Sequence, residues 1–189
     1  MSTFEELPQG LPAPHDDGAT DHLSGVPVPS RSLPGTSGES VDLSARQHLN
    51  LVYIYPMTGR PGDPLPDGWD AIPGARGCTP ESCGFRDHLA DLNAAGVTAV
   101  FGISSQSTEQ QREARERLRL PFELLSDADF AWADALRLPT FIAADRRFHQ
   151  RLTLLVRDGS IEHVFYPVFP PDEHASEVAA WLRRKRANR

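Results

Sequence analysis

Two cysteines, Cys78 and Cys83, are the residues of this chain best suited to chemistry, and the chain has no others. They sit five positions apart in PGARGCTPESCGFRD, residues 73–87, where a glycine-rich loop gives way to a helical pattern. Pro80 suits the first turn of a helix, because its missing N–H has no partner there anyway. Thr79 is the expected N-cap, and Glu81 puts a negative charge in the first turn. Cys78 is thus expected at a helix N-terminus, where unpaired N–H groups and the helix dipole favour a thiolate, the nucleophilic form of cysteine. Arg76 adds positive potential, and Cys83 lies deeper in the helix and is less activated.

In an unbroken helix, residues five apart are about 140° and ~7.5 Å from one another, so their Cα atoms are ~8.6 Å apart. A disulfide needs less than ~7 Å. Bonding Cys78 to Cys83 therefore requires the first turns to unwind, which Gly84 makes easier by about 1 kcal/mol relative to alanine. That predicts a reduced helical form and an oxidised, locally opened one. The spacing alone is equally compatible with two unreactive cysteines. A structural zinc site is not expected, since two thiols lack further nearby ligands, and neither metal nor cofactor is expected elsewhere.

Alternating strands and helices must position this segment. Leu49–Tyr55 reads as a strand buried on both faces. Residues 56–77 form a long loop, with five prolines and five glycines, that Trp69 and Ile72 pin to the body. The cysteine helix carries Phe85, Leu89 and Leu92 on one stripe and stops at Gly96. A strand follows over Val97–Ile103, then a helix to Leu118 opened by a capping box, Ser107 with Gln110. Phe122–Leu125 is a short strand and Asp127–Leu136 a helix with Phe130 and Leu136 toward the core. Arg151–Val156 and Ile161–Tyr166 flank Asp158-Gly159, a strong hairpin signal. Asp172 is placed to cap a last helix with an Ala175, Val178, Leu182 stripe. The order β-α-β-α-β-α, then β-β-α, predicts an α/β sheet covered by helices, with a thioredoxin-like fold.

Composition bounds the rest. A chain of 189 residues, 39% hydrophobic, fits one domain with additional segments. The net charge of −7 argues against a general affinity for nucleic acid. No apolar run reaches membrane-spanning length, and the acidic start MSTFEELPQG lacks the regions of a signal peptide, so a cytoplasmic location is expected. There a cysteine pair points to redox or catalytic use. Residues 1–24 are expected to be a flexible leader, with the domain over 25–189 and short strands around Val26, Val28, Leu33, Val41 and Leu43 covering the core edge.

Taken together, GCTPESCGFRDHLADL at 77–92, VFGIS at 100–104 and RLTLLVRDGSIEHVF at 151–165 resemble the peroxiredoxins. The similarity is greatest to the branch called bacterioferritin comigratory protein or peroxiredoxin Q, and it spans roughly residues 25–185. The resemblance implies a thiol-dependent peroxidase acting on hydrogen peroxide or organic hydroperoxides. Cys78 would be the peroxidatic cysteine and Cys83 the resolving one, forming an intramolecular disulfide that thioredoxin or a similar dithiol reduces. Arg151 matches the family's active-site arginine. The chain departs from the family where a threonine or serine stands three residues before the peroxidatic cysteine, since Ala75 is here. Pro56-Met57-Thr58 comes about 20 residues earlier, as though residues 59–77 were inserted. Thr58 is then the candidate for hydrogen bonding the thiolate or peroxide, with Thr79 as its substitute. The insertion could be a lid over Cys78 or an assembly surface.

His88, His163, Trp132 and Trp181 read as packing or solvated residues. Two other functions compete. A thioredoxin-type disulfide oxidoreductase is weakened because those proteins use Cys-x-x-Cys. A redox sensor would use the same opening of residues 78–84 without turnover. A monomer or homodimer is expected.

Overall fold

The computed structural model describes residues 7–188. Its elements in chain order are β1 (Ser32–Pro34), β2 (Ser40–Asp42), β3 (Leu49–Ile54), α1 (Cys78–Asp87), α2 (Leu89–Ala94), β4 (Val97–Ser104), α3 (Thr108–Leu118), β5 (Glu123–Ser126), α4 (Ala131–Leu136), β6 (Thr140–Ala143), β7 (Arg146–His149), β8 (Leu152–Arg157), β9 (Ser160–Phe165) and α5 (His174–Ala187). The main sheet has the order β5-β4-β3-β8-β9. β3 lies at its centre, parallel to β4 and antiparallel to β8. This is the expected thioredoxin-like α/β architecture.

All six residues of β3 are buried, as a strand covered on both faces requires. Its alternation sorts them into two cores. Leu49, Leu51 and Tyr53, with Tyr55 just past the strand, face the helices that carry Phe85, Leu92, Val178 and Leu182. Val52 and Ile54 face the opposite side, with Leu23, Leu33, Trp132 and Leu136. Cys78 belongs to the first core. The β8–β9 turn places Asp158 at φ 49° and Gly159 at φ 76°, the paired positive angles that favour Asp-Gly in two-residue hairpins. α3 opens with the Ser107–Gln110 capping box in full.

Several local expectations are corrected. α1 starts at Cys78, not after a Thr79 cap; Gly77 precedes it at φ 96°, with no side-chain cap. A Cβ at Gly77 would stand 2.3 Å from Pro171 Cγ, so both the turn and the packing require glycine. The cysteine helix divides at His88 into α1 and α2. α4 begins at Ala131, and Asp127 serves it from outside, accepting the N–H groups of Trp132 and Ala133 at 3.0 Å each. Asp172 does not cap α5, which opens at Glu173 without a side-chain cap; the Ala175, Val178, Leu182 stripe is buried as expected. Leu43 falls in a 3₁₀ turn, not a strand. The β6–β7 hairpin has no counterpart in the sequence reading, because its Ile142 and Arg146 are exposed and break the apolar alternation.

Of the leader expected over 1–24, the stretch from Asp17 is built into the body. Tyr166 donates to Asp17, His22 bonds the Leu136 carbonyl, and Leu23 is fully buried. Residues 1–6 lie outside the described residues. His163 stacks on Trp181 at 4.2 Å, and Trp132 is buried in the second core.

Candidate active site

Cys78 is 3% exposed at the first position of α1. The helix is held on β3 by Tyr53, which stacks on Phe85 at 4.7 Å and donates to Ser82 Oγ at 3.1 Å. Tyr53 in turn fits only because Gly102 on β4 has no side chain; a Cβ there would meet its hydroxyl at 2.7 Å.

Arg151 enters from the residue before β8 and crosses under the helix start. Its Nη2 donates to Cys78 Sγ at 3.1 Å, to the Arg76 carbonyl at 2.9 Å and to the Gly74 carbonyl at 3.2 Å. Its Nη1 donates to Glu81. One guanidinium therefore serves two acidic groups on one helix turn, in the planar fork geometry that lysine cannot reproduce. Glu81 is fully buried, and burial raises its carboxyl to about 7 against the pull of Arg151. Its Oε1 has no hydrogen-bond partner among the described residues.

Opposing effects act on the Cys78 thiol. Burial pushes it up, Arg151 pulls it down, the Glu81 charge pushes it up, and a hydrogen bond from the Met57 backbone pulls it down. The net direction is upward, with burial outweighing the pull of Arg151. Thiolate formation here depends on whether Glu81 is charged. Of the two acids sharing Arg151, ionising one disfavours ionising the other.

Cys83 is half-buried, and both cysteines are free thiols within the continuous α1. It interacts with Arg86, which also donates to the Leu118 carbonyl at 2.7 Å. Thr58 is buried beside Gln106, to whose Oε1 it donates from both its N–H, at 2.8 Å, and its hydroxyl, at 3.1 Å. Gln106 Nε2 returns a bond to the Thr58 carbonyl. The hydroxyl is therefore engaged with Gln106, while the sulfur accepts from Arg151 and from the Met57 backbone and donates to the Ala75 carbonyl at 3.6 Å. Thr79 is buried. The structure thus brings Cys78, Glu81 and Arg151 together and leaves Cys83 about one and a half helix turns away. Glu81 was read in the sequence only as a first-turn charge; its i, i+3 spacing from Cys78 was the available signal.

Residues 23–182 match the family model described as Redoxin. The chain belongs to this family and is a peroxiredoxin, a thiol-dependent peroxidase. It is 34% identical over 161 residues to Peroxiredoxin Bcp of Escherichia coli, covering 82% of this chain and 92% of the relative. The structure of peroxidoxin BcpB from Mycobacterium tuberculosis superposes with a TM-score of 0.68 at 25% identity, over 86% of this chain and 98% of that one. A peroxiredoxin Q from Xylella fastidiosa shares the fold with a TM-score of 0.69 at 20% identity, covering 87% and 98% of the two chains. These similarities put it in the Bcp and peroxiredoxin Q branch.

Among the described residues no helix is long and apolar enough to cross a membrane.

Proposed function

We propose that Cys78 is the peroxidatic cysteine, Cys83 the resolving cysteine, and Arg151 the group that stabilises charge on the reacting oxygens. The observation that carries this reading is the 3.1 Å contact between Arg151 Nη2 and Cys78 Sγ at the start of α1. The thiolate of Cys78 attacks the terminal oxygen of a hydroperoxide. An S–O bond forms, the O–O bond breaks, and the departing alkoxide or hydroxide takes the electron pair and then a proton from water, equal to the one Cys78 released on ionising. Cys78 becomes a sulfenic acid. Arg151 faces the negative charge that develops on the leaving oxygen, the kind of fixed donor that accelerates such steps.

Cys83 then attacks the sulfenic sulfur. An S–S bond forms and water leaves, which stops further oxidation of Cys78. A dithiol, thioredoxin or a protein like it, reduces the disulfide and restores both thiols. Thr58 acts through the loop, fixing Met57 with the help of Gln106, and is not itself a donor to the peroxide. The protein works in the cytoplasm as a monomer or homodimer.

The test is thioredoxin-coupled consumption of hydrogen peroxide. Cys78→Ser should abolish it. Cys83→Ser should complete one turnover and then hold a sulfenic acid detectable by mass. Sustained turnover by Cys78→Ser would end the assignment, and normal turnover by Cys83→Ser with thioredoxin would remove the resolving role.

A further inference from the structure

Residues 59–77, which separate Thr58 from Cys78, fold back over the thiol. Trp69 is 3% exposed and packs edge-on to Phe148 at 4.9 Å and against Phe141 at 5.7 Å, so the β6–β7 hairpin holds the segment down. Asp70 pairs with Arg76 at 3.2 Å, and the Arg76 carbonyl accepts from Arg151. Arg117 donates to the Gly59 carbonyl at 2.9 Å and fixes the other end. The segment is thus tied to the sheet, to α3 and to the catalytic arginine.

What this leaves beside Cys78 is a narrow recess, open to solvent, with about 20 Å³ of space for water-sized groups, lined in part by Met57, Gly59, Leu65, Trp69 and Ala75. One water needs roughly 10–15 Å³ of such space. The recess therefore takes one or two water-sized groups. Hydrogen peroxide has two heavy atoms. The carbon skeleton of an organic hydroperoxide bound at Cys78 would meet Leu65 and Trp69 on the wall of the recess. Met57, Gly59 and Leu65 also form one wall of a separate cleft of about 430 Å³. That cleft carries Arg60, Asp63, Glu109, Glu113 and Arg146, charges of both signs that do not suit an alkyl or aryl chain.

We propose that residues 59–77 are a lid that makes Leu65 and Trp69 specificity-determining, selecting hydrogen peroxide over bulky organic hydroperoxides. The proposal deepens the peroxidase reading and rests on it. The segment narrows access to the reduced thiol, and truncating either side chain enlarges the space; Leu65 also lines the neighbouring cleft, so its loss widens the passage between the two.

The experiment compares kcat/KM for hydrogen peroxide and for cumene hydroperoxide in the wild type, Leu65→Ala and Trp69→Ala. The wild-type ratio should favour hydrogen peroxide by about 100-fold, within the range that apolar pocket contacts discriminate. Either truncation should lower that ratio roughly 10-fold or more. A second readout needs no peroxide: alkylation of Cys78 in a Cys83→Ser background, by iodoacetamide and by the bulkier monobromobimane. The lid predicts that the bulky reagent is disfavoured in the wild type and gains selectively in both truncations. Turnover of both peroxides at similar kcat/KM, or ratios unmoved by both truncations, would overturn the lid while leaving the peroxidase reading intact. Size-selective alkylation without turnover of any peroxide would do the reverse, supporting the lid and ending the peroxidase reading.

Discussion

Forming the Cys78–Cys83 bond must dismantle the start of α1, and the extent can be worked out. Both thiols are free within one continuous helix. Their Cα separation there is ~8.6 Å, against a limit of ~7 Å for a disulfide. Bringing them together requires opening about one and a half turns. The opening begins with the Glu81 N–H, which bonds the Gly77 carbonyl at 3.0 Å. It also draws Cys78 away from Arg151. Gly84, whose absent side chain faces Ala175 Cβ at 3.4 Å, is the natural limit of the opened stretch. Roughly four backbone hydrogen bonds are lost, at about 1 kcal/mol each. About 4 kcal/mol corresponds to ~10³-fold loss of amide protection. The assay is hydrogen exchange by mass spectrometry on a peptide spanning residues 78–87, before and after one equivalent of hydrogen peroxide. The oxidised protein should exchange this peptide ~10³-fold faster, while β3 stays protected. A mass confirming the disulfide together with unchanged protection of residues 81–84 would refute the argument.

Three further outcomes follow from the same contacts. Arg151→Lys cannot span Cys78, Glu81 and two carbonyls; kcat/KM for peroxide should fall about 10²–10³-fold with an unchanged circular dichroism spectrum, and a loss under threefold would show that the fork is not needed. Gly102→Ala places a Cβ 2.6 Å from Leu124 Cδ2 and 2.7 Å from the Tyr53 hydroxyl, so it should cost about 1–3 kcal/mol in denaturant unfolding, and a neutral result would mean the strands part freely. The pH dependence of stability has opposing contributions. Burial lowers His149 to about 4 and His174 to about 3, so both favour unfolding as pH falls below the unfolded histidine value near 6.5. Burial raises Asp127 to about 6 and Glu81 to about 7, so the folded state takes up these protons first and both favour folding as pH falls through those values. Asp127→Asn removes one compensating group, and its stability should decline more steeply than the wild type's between pH 6 and 4; parallel curves would show that Asp127 does not titrate in the fold.

The sequence by itself determined the order of the main-sheet strands and their helices, the central strand and the β8–β9 hairpin, because each rests on a local pattern. Five apolar or β-prone residues among the six of β3, Asp-Gly at 158–159 and the Ser107–Gln110 box need only neighbours along the chain to act. It also singled out the cysteine pair, and the family resemblance pointed to Arg151. It missed the β6–β7 hairpin and misplaced caps at Thr79 and Asp172, since a glycine turn and the packing of Pro171 on Gly77 decided where α1 begins. Only the tertiary structure decided the state of the site. That Glu81 shares Arg151 with Cys78, and that Thr58 is turned onto Gln106, follow from contacts between residues 70 and 48 positions apart. The pull on a thiol reflects burial and charges brought within a few ångströms, which no spacing along the chain encodes. The packing of residues 59–77 against the body depends on Trp69 meeting Phe148, two aromatic residues that only the fold brings together.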